Sequence, residues 1–327
     1  MNKLLKILLV AVLALGGLSV GAVAQAQNDA EDDISSSTEQ SGSSGSGDAV
    51  AGQVVGVVSA GDTSVDATNH SEDVDIETGA ANGFNGQGSF TGQFNEDGDE
   101  NELEDGEISS ETVQASESNT GDGVGGQVIG VVTSAGGSAD VVAANTSEDV
   151  DIETGDSFSD NFADFGTGQA TFDGGGENDA EDDISSEVNQ TASASSGDGV
   201  GGQVLGIVSA GDASVDATNE STDVDIETGL ASADNFAGFN VAQESDGGGD
   251  NFSDGDISGE IAQDASATSG DAVAGQVAGV VTSAGGSADL VLANTSEDVD
   301  AESGDSFHFN EVDEFVGQQT EGGIAAG

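Results

Sequence analysis

The sequence predicts an all-β repeat protein wound as a β-solenoid, on three observations. First, an acidic strand recurs four times, as Asp73-Val74-Asp75-Ile76-Glu77, Asp149-Val150-Asp151-Ile152-Glu153, Asp223-Val224-Asp225-Ile226-Glu227 and Asp298-Val299-Asp300-Ala301-Glu302. Alternation of carboxylate and apolar residue is the period-two signature of a half-buried strand. Second, residues 28–35 are identical to residues 178–185, 150 positions on, and residues 47–79 map onto 197–229 at the same offset. Residues 121–155 map onto 270–304 at an offset of 149, so four units of about 75 residues run A-B-A-B. Third, Ser, Thr, Asp, Asn, Val and Gly dominate, all poor helix formers, and Pro is absent.

In chain order, residues 1–26 read as a secretory signal peptide. Lys3 and Lys6 form its charged start, Leu4 to Val23 its apolar core, and Ala22-Val23-Ala24 or Ala24-Gln25-Ala26 its cleavage motif. Unit A1 then spans 27–100, B1 101–176, A2 177–250, and B2 with a C-terminal tail 251–327. Each unit predicts three strands. The first is polar and alternating, as in Ile184–Ser193. The second is apolar on both faces, as in Gln203–Val208, and is expected to be fully buried. The third ends in the acidic run.

Spacing within a unit is fixed. Ile34, Gln40, Gly47 and Gln53 recur as Ile108, Gln114, Gly121 and Gln127, as Ile184, Gln190, Gly197 and Gln203, and as Ile257, Gln263, Gly270 and Gln276. The anchors Ile34, Val54 and Val74 fall 20 residues apart, which predicts a small solenoid with rungs of about 20 residues. Tandem β-sandwich-like modules are the alternative, but about 75 residues with so little apolar volume make a thin independent core. The 13 Phe lie in spacers after the acidic runs. There they would fold back over the apolar seam or form an aromatic row for association.

Charge decides the function classes. The chain holds 64 Asp and Glu against two Lys, and both Lys lie in the leader. Ion pairs are then restricted to His70, His308 or the amino terminus, and self-repulsion opposes compaction unless salt or multivalent cations intervene. Nucleic acid and anionic membranes are excluded as partners. No segment after the leader is long enough to span a bilayer. With no Cys there is no disulfide or thiol chemistry.

Candidate sites follow from the repeats. Carboxylates on neighbouring rungs could ligate a hard cation, with Asp73, Asp75, Glu77, Asp149, Asp151, Glu153, Asp223, Asp225, Glu227, Asp298, Asp300 and Glu302 as the ligand set. A solvated acidic face tuned to high salt is the competing reading. Asp97–Glu102 and Asp250–Gly255 begin like calcium loops but lack the required residues. Asn69, Asn145, Asn219 and Asn294 each open an Asn-x-Ser sequence before the acidic run, which serves equally for glycosylation or a turn. His70 and His308 occupy non-equivalent positions without a nucleophile, so no enzyme is expected.

The expectation is a secreted, acidic structural protein of the cell surface or extracellular matrix, adapted to high salt. It would associate with like chains or cell-envelope components. No cofactor is required; Ca²⁺ or bulk monovalent cations are the counter-ions it would take. A calcium-binding extracellular module with ion-switched folding and a disordered acidic matrix polymer are the alternatives.

Overall fold

The computed structural model describes residues 23–25, 33–96, 101–103, 106–133, 138–172, 178–180, 182–246, 251–253, 255–282 and 286–321. Most of the expected leader and much of both calcium-loop-like stretches lie outside these residues. The chain is an all-β solenoid. A short β1 (Val23–Gln25) precedes the first coil, which runs through β2 (Ile34–Gly45), β3 (Ala49–Ser59), β4 (Thr63–Glu77) and β5 (Ala81–Glu96). After β6 (Asn101–Leu103), the second coil is β7 (Glu107–Asn119), β8 (Gly123–Thr133), β9 (Ala139–Glu153) and β10 (Ser157–Phe172). After β11 (Asn178–Ala180), the third is β12 (Asp183–Ser195), β13 (Gly199–Ser209), β14 (Ala213–Glu227) and β15 (Ala231–Asp246). After β16 (Asn251–Ser253), the fourth is β17 (Ile257–Thr268), β18 (Ala272–Thr282), β19 (Ala288–Glu302) and β20 (Ser306–Glu321).

The rung is therefore the whole repeat of about 75 residues, not the 20 expected. Every strand pairing is parallel, and apart from β1 on β5 each joins one repeat to the next. Equivalent residues meet throughout: Ile34 faces Ile108, Ile108 faces Ile184, and Ile184 faces Ile257. Separate sandwich modules are excluded, because no repeat contains the hydrogen-bond partners of its own long strands. The Phe spacers are also more than loops. They form β5, β10, β15 and β20, a full face of each coil. β1 falls inside the expected leader, and cleavage after Ala26 would leave β5 as the edge.

Each coil folds into two lobes. In one, β2, β7, β12 and β17 pack on β5, β10, β15 and β20. Ile108, Ile184, Val188, Phe165 and Phe239 are buried between them. In the other, β3, β8, β13 and β18 pack on β4, β9, β14 and β19 around Ile129, Val131, Leu205 and Ile207. A second cluster, Ile76, Ile152 and Ile226 with Val150 and Val224, fills the same lobe toward its waist.

Buried amide ladders run through the core beside these apolar stacks. Asn69, Asn145, Asn219 and Asn294 are linked side chain to side chain at 3.1, 2.9 and 3.0 Å. Asn85, Asn161, Asn235 and Asn310 form a second ladder at 2.9 Å per step. Gln40, Gln114, Gln190 and Gln263 form a third, at 2.8, 2.9 and 2.8 Å. The other amide hydrogen reaches a carbonyl on the facing sheet, as from Gln114 to Phe162. The evenly spaced Gln residues of the sequence are thus rung-to-rung connectors, the device of stacked cross-β structure.

At the waist, Gly47, Gly121, Gly197 and Gly270 stack, and the last three have no room for a side chain because the glycine of the preceding coil lies against them. A Cβ on Gly197 would overlap the carbonyl of Gly121, and one on Gly270 that of Gly197. Gly121, Gly197 and Gly270 also donate coil-to-coil bonds, with the Gly197 N–H donating to Thr120 Oγ1 at 2.8 Å. Gly197→Ala should therefore destabilise the fold by about 3 kcal/mol, the upper range for forced overpacking. Gly206→Ala, where a Cβ meets nothing within 4 Å, should stay within about 0.5 kcal/mol of wild type. Urea midpoints of the two variants check this, and equal midpoints would refute the stacked waist.

Candidate functional site

The acidic runs begin at a kink. Asp73, Asp149, Asp223 and Asp298 have φ of 53°, 52°, 52° and 51°, the left-handed region that Asp tolerates better than most residues. These four are skipped in the strand pairing, with Glu72 meeting Glu148 and Val74 meeting Val150. The extra residue shifts the alternation by one. Before it, Ala67 and Asn69 point inward; after it, Val74 and Ile76 do. Without the kink the last apolar pair would face solvent.

Past the kink, Asp75, Asp151, Asp225 and Asp300 stack on successive coils, as do Glu77, Glu153, Glu227 and Glu302. The kink and the first Asp ladder line one shallow groove with Val74, Val150 and Val224. Burial, and then the charges of Asp225 and Asp75, push the Asp151 carboxyl above its ordinary range. Asp151, followed by burial and the neighbouring carboxylates, does the same to Glu153. The twelve predicted ligands are brought onto one face in rows. Among the described residues, however, no three His, Asp or Glu side chains converge on a point that could hold a metal ion. The arrangement suits cations distributed along the rows.

The four Asn-x-Ser asparagines lie on one inward row of the coil. Asn69, Asn145 and Asn219 are 3 %, 0 % and 1 % exposed, and their amides are the rungs of a core ladder. They are strand residues rather than turn residues and are buried in the folded coil, whereas Asn294, on the last coil, is exposed. The inward direction was encoded two residues earlier, in the alternation Val65, Ala67, Asn69.

Sequence reasoning missed a second role for carboxylates. At the turns, where strand pairing lapses, an Asp of one coil accepts the backbone N–H of the next. Asp48 accepts from Asp122 at 3.1 Å, Asp122 from Asp198 and Asp198 from Asp271, both at 2.9 Å. Asp62 takes both the N–H and the hydroxyl of Ser138 at 2.9 Å, which holds its carboxyl below the ordinary range; Ser287 does the same to Asp212. The signal was the Gly-Asp pair that recurs at many of the turns, as at Gly47-Asp48, Gly61-Asp62 and Gly121-Asp122. The one ion pair among the described residues, His70 with Glu72 at 3.4 Å, is exposed and adds little. No helix of the described residues is long and apolar enough to cross a membrane.

The Phe side chains divide. Phe165 and Phe239 enter the core, while Phe84, Phe307, Phe309 and Phe315 remain on the surface. Phe162 stacks on Phe236 across the rung at 5.0 Å. Comparison of the chain with protein-family models, curated proteins and solved structures finds no match.

The two carboxylate classes set opposite pH responses. Asp151, Glu153, Asp160 and Asp164 have raised folded-state values, so the folded form binds protons more readily than the unfolded one. Their contribution grows as pH falls from neutral into the ordinary carboxylate range around 4. Asp62 and Asp212 act the other way, losing their stabilisation only as pH falls through their lowered values. The urea midpoint at fixed ionic strength should rise between pH 7 and about pH 5, and Asp151→Asn should flatten the rise. A midpoint that falls over this range would contradict the assignment.

Proposed function

We propose that this chain is a non-enzymatic, secreted structural protein of the cell surface or extracellular matrix, an acidic solenoid that depends on cations and assembles end to end. The observation that carries this reading is the unfinished stack. Coil 4 exposes β19 and β20 almost throughout, and the strand pairings of β17, β18, β19 and β20 are all to coil 3. The ladders run in opposite senses: Asn219 donates to Asn294 toward coil 4, while Gln263 donates to Gln190 toward coil 1. A second copy placed with its first coil on coil 4 would continue both, and would continue the A-B-A-B order. Such a contact is heterologous and does not close, so it builds a filament.

Charge controls that step. The rows at Asp75 and Glu77 have no cationic side chain to compensate them, so folding and stacking both need screening or bound cations. The Asp75→Asn, Asp151→Asn, Asp225→Asn and Asp300→Asn variant should fold at lower salt than wild type, read by circular dichroism. An unchanged salt midpoint would sink the charge-limited reading. The calcium-switched alternative is favoured instead if strand signal appears at micromolar Ca²⁺ in low salt.

Light scattering checks assembly. Monomers are expected in dilute buffer, and long oligomers in molar salt or millimolar Ca²⁺. A chain that folds but scatters as a monomer throughout is a soluble acidic rod, not a matrix component.

A further inference from the structure

The sheet formed by β3, β8, β13 and β18 has one face in the core and one in solvent. The sequence predicts both faces buried; the structure leaves Val54, Val128, Val204 and Val277 at 76 %, 37 %, 43 % and 58 % exposed. In each coil the outward residues read Val-Gly-Val-Gly-Val, as in Val200, Gly202, Val204, Gly206 and Val208. Stacked in register, they make three valine ridges separated by two glycine grooves. Over the groove at Gly56, Gly130, Gly206 and Gly279 a Cβ would meet nothing within 4 Å.

None of the residues in these four strands is charged, in a chain with 64 carboxylates. The outward faces of the other three large sheets all carry Asp or Glu. Of the four outward sheet faces, this is the one across which two copies of such a polyanion meet without opposing carboxylates. Its order is palindromic, so a second copy turned by a two-fold axis and shifted two residues places ridges in grooves. With the two-residue shift, about nine of the eleven residues overlap on four coils, roughly 570 Å² per copy and about 1,100 Å² in total at ordinary strand spacings, just above the lower bound for a specific interface.

We propose that this valine–glycine face is a lateral dimer interface between two copies of the chain, a dry, interdigitated contact separate from end-to-end stacking. It rests on the assembly reading only for its biological setting. Asp48, Asp122, Asp198 and Asp271 line one rim, so pairing strengthens with salt as they are screened. The outcome is a four-layered slab with the acidic sheets outermost.

Sedimentation of the mature chain across a salt series tests this. Wild type should reach a species of two chains before any longer oligomer. Val128→Asp with Val204→Asp, both on the solvent side, should keep the strand signal and weaken pairing by about 100-fold or more, as a charge buried at an interface centre does. Gly130→Val with Gly206→Val makes the face more apolar but fills a groove. It should also weaken pairing, which plain hydrophobic stickiness would not produce. Filaments unaffected by Val128→Asp and Val204→Asp, with no two-chain species, would overturn the lateral interface and leave end-to-end assembly standing. Monomers that bind uncharged lipid vesicles through this face without pairing would overturn the choice of a second copy.

Discussion

Placing each residue against its own counterpart is the constraint that governs this fold. Parallel in-register pairing sets equivalent residues roughly 4.8 Å apart on successive coils, so a side chain is selected by what it does to a second copy of itself. Amides are self-complementary. Asn145 accepts from Asn69 and donates to Asn219, and no partner of another type is required. Ile and Val pack on themselves for the same reason. A carboxylate has acceptors only and a charge. The geometry that makes Asn favourable inside makes Asp unfavourable in the outward row, and at Asp151 the stacked charges of Asp225 and Asp75 add to burial in raising the carboxyl.

The repeat, the strand alternation and the inward Val and Ile of the acidic run were legible from the residues, because duplication and period two survive any arrangement of strands. The rung was not. Ile34, Val54 and Val74 fall at even intervals, yet they sit at the start of β2, the middle of β3 and near the end of β4, in three different sheets, and Val54 faces solvent. Strand, turn and strand repeated evenly within one large coil looks, in one dimension, like three small coils. The fourth strand is hard to read because its outward positions diverge between repeats: Phe84 meets Asp160, and Asp234 meets Phe309. Its inward amides do not diverge. Asn85, Asn161, Asn235 and Asn310 recur at repeat spacing and were the available signal.

The candidate site was legible in composition and not in geometry. Twelve carboxylates were expected on one face, and the rows are there, but the left-handed Asp of each run interrupts the pairing and re-aims the residues after it. Nothing in an Asp-Val-Asp-Ile-Glu string distinguishes a first Asp at a kink from one in the pleat, since Asp is common in both turns and exposed strands. The Asn before the run misled for a related reason. Asn-x-Ser is compatible with a glycan, a turn and a buried ladder, and only the inward phase of Val65 and Ala67 decides among them.

Carboxylates on this chain therefore act with two signs. In the strands their nearest equivalent is another carboxylate, and stacking works against them. At the turns their partner is an amide N–H of the next coil, left over where the strand ladder stops, and stacking works for them. This sorting also makes the two lobes unequal. The lobe of β2 and β5 bears acid on both outward faces, with Glu111, Glu187 and Glu260 in one row and Asp160 beside Asp234 in another. The lobe of β3 and β4 keeps its acid on the β4 side and at the turns, and leaves the β3 side bare. The proposed lateral contact is thereby confined to one lobe, the only one with an uncharged outward sheet. Under the proposed assembly, stacking along one axis and pairing across one face would give the polyanion a defined way to thicken, with its remaining surface hydrated and repulsive.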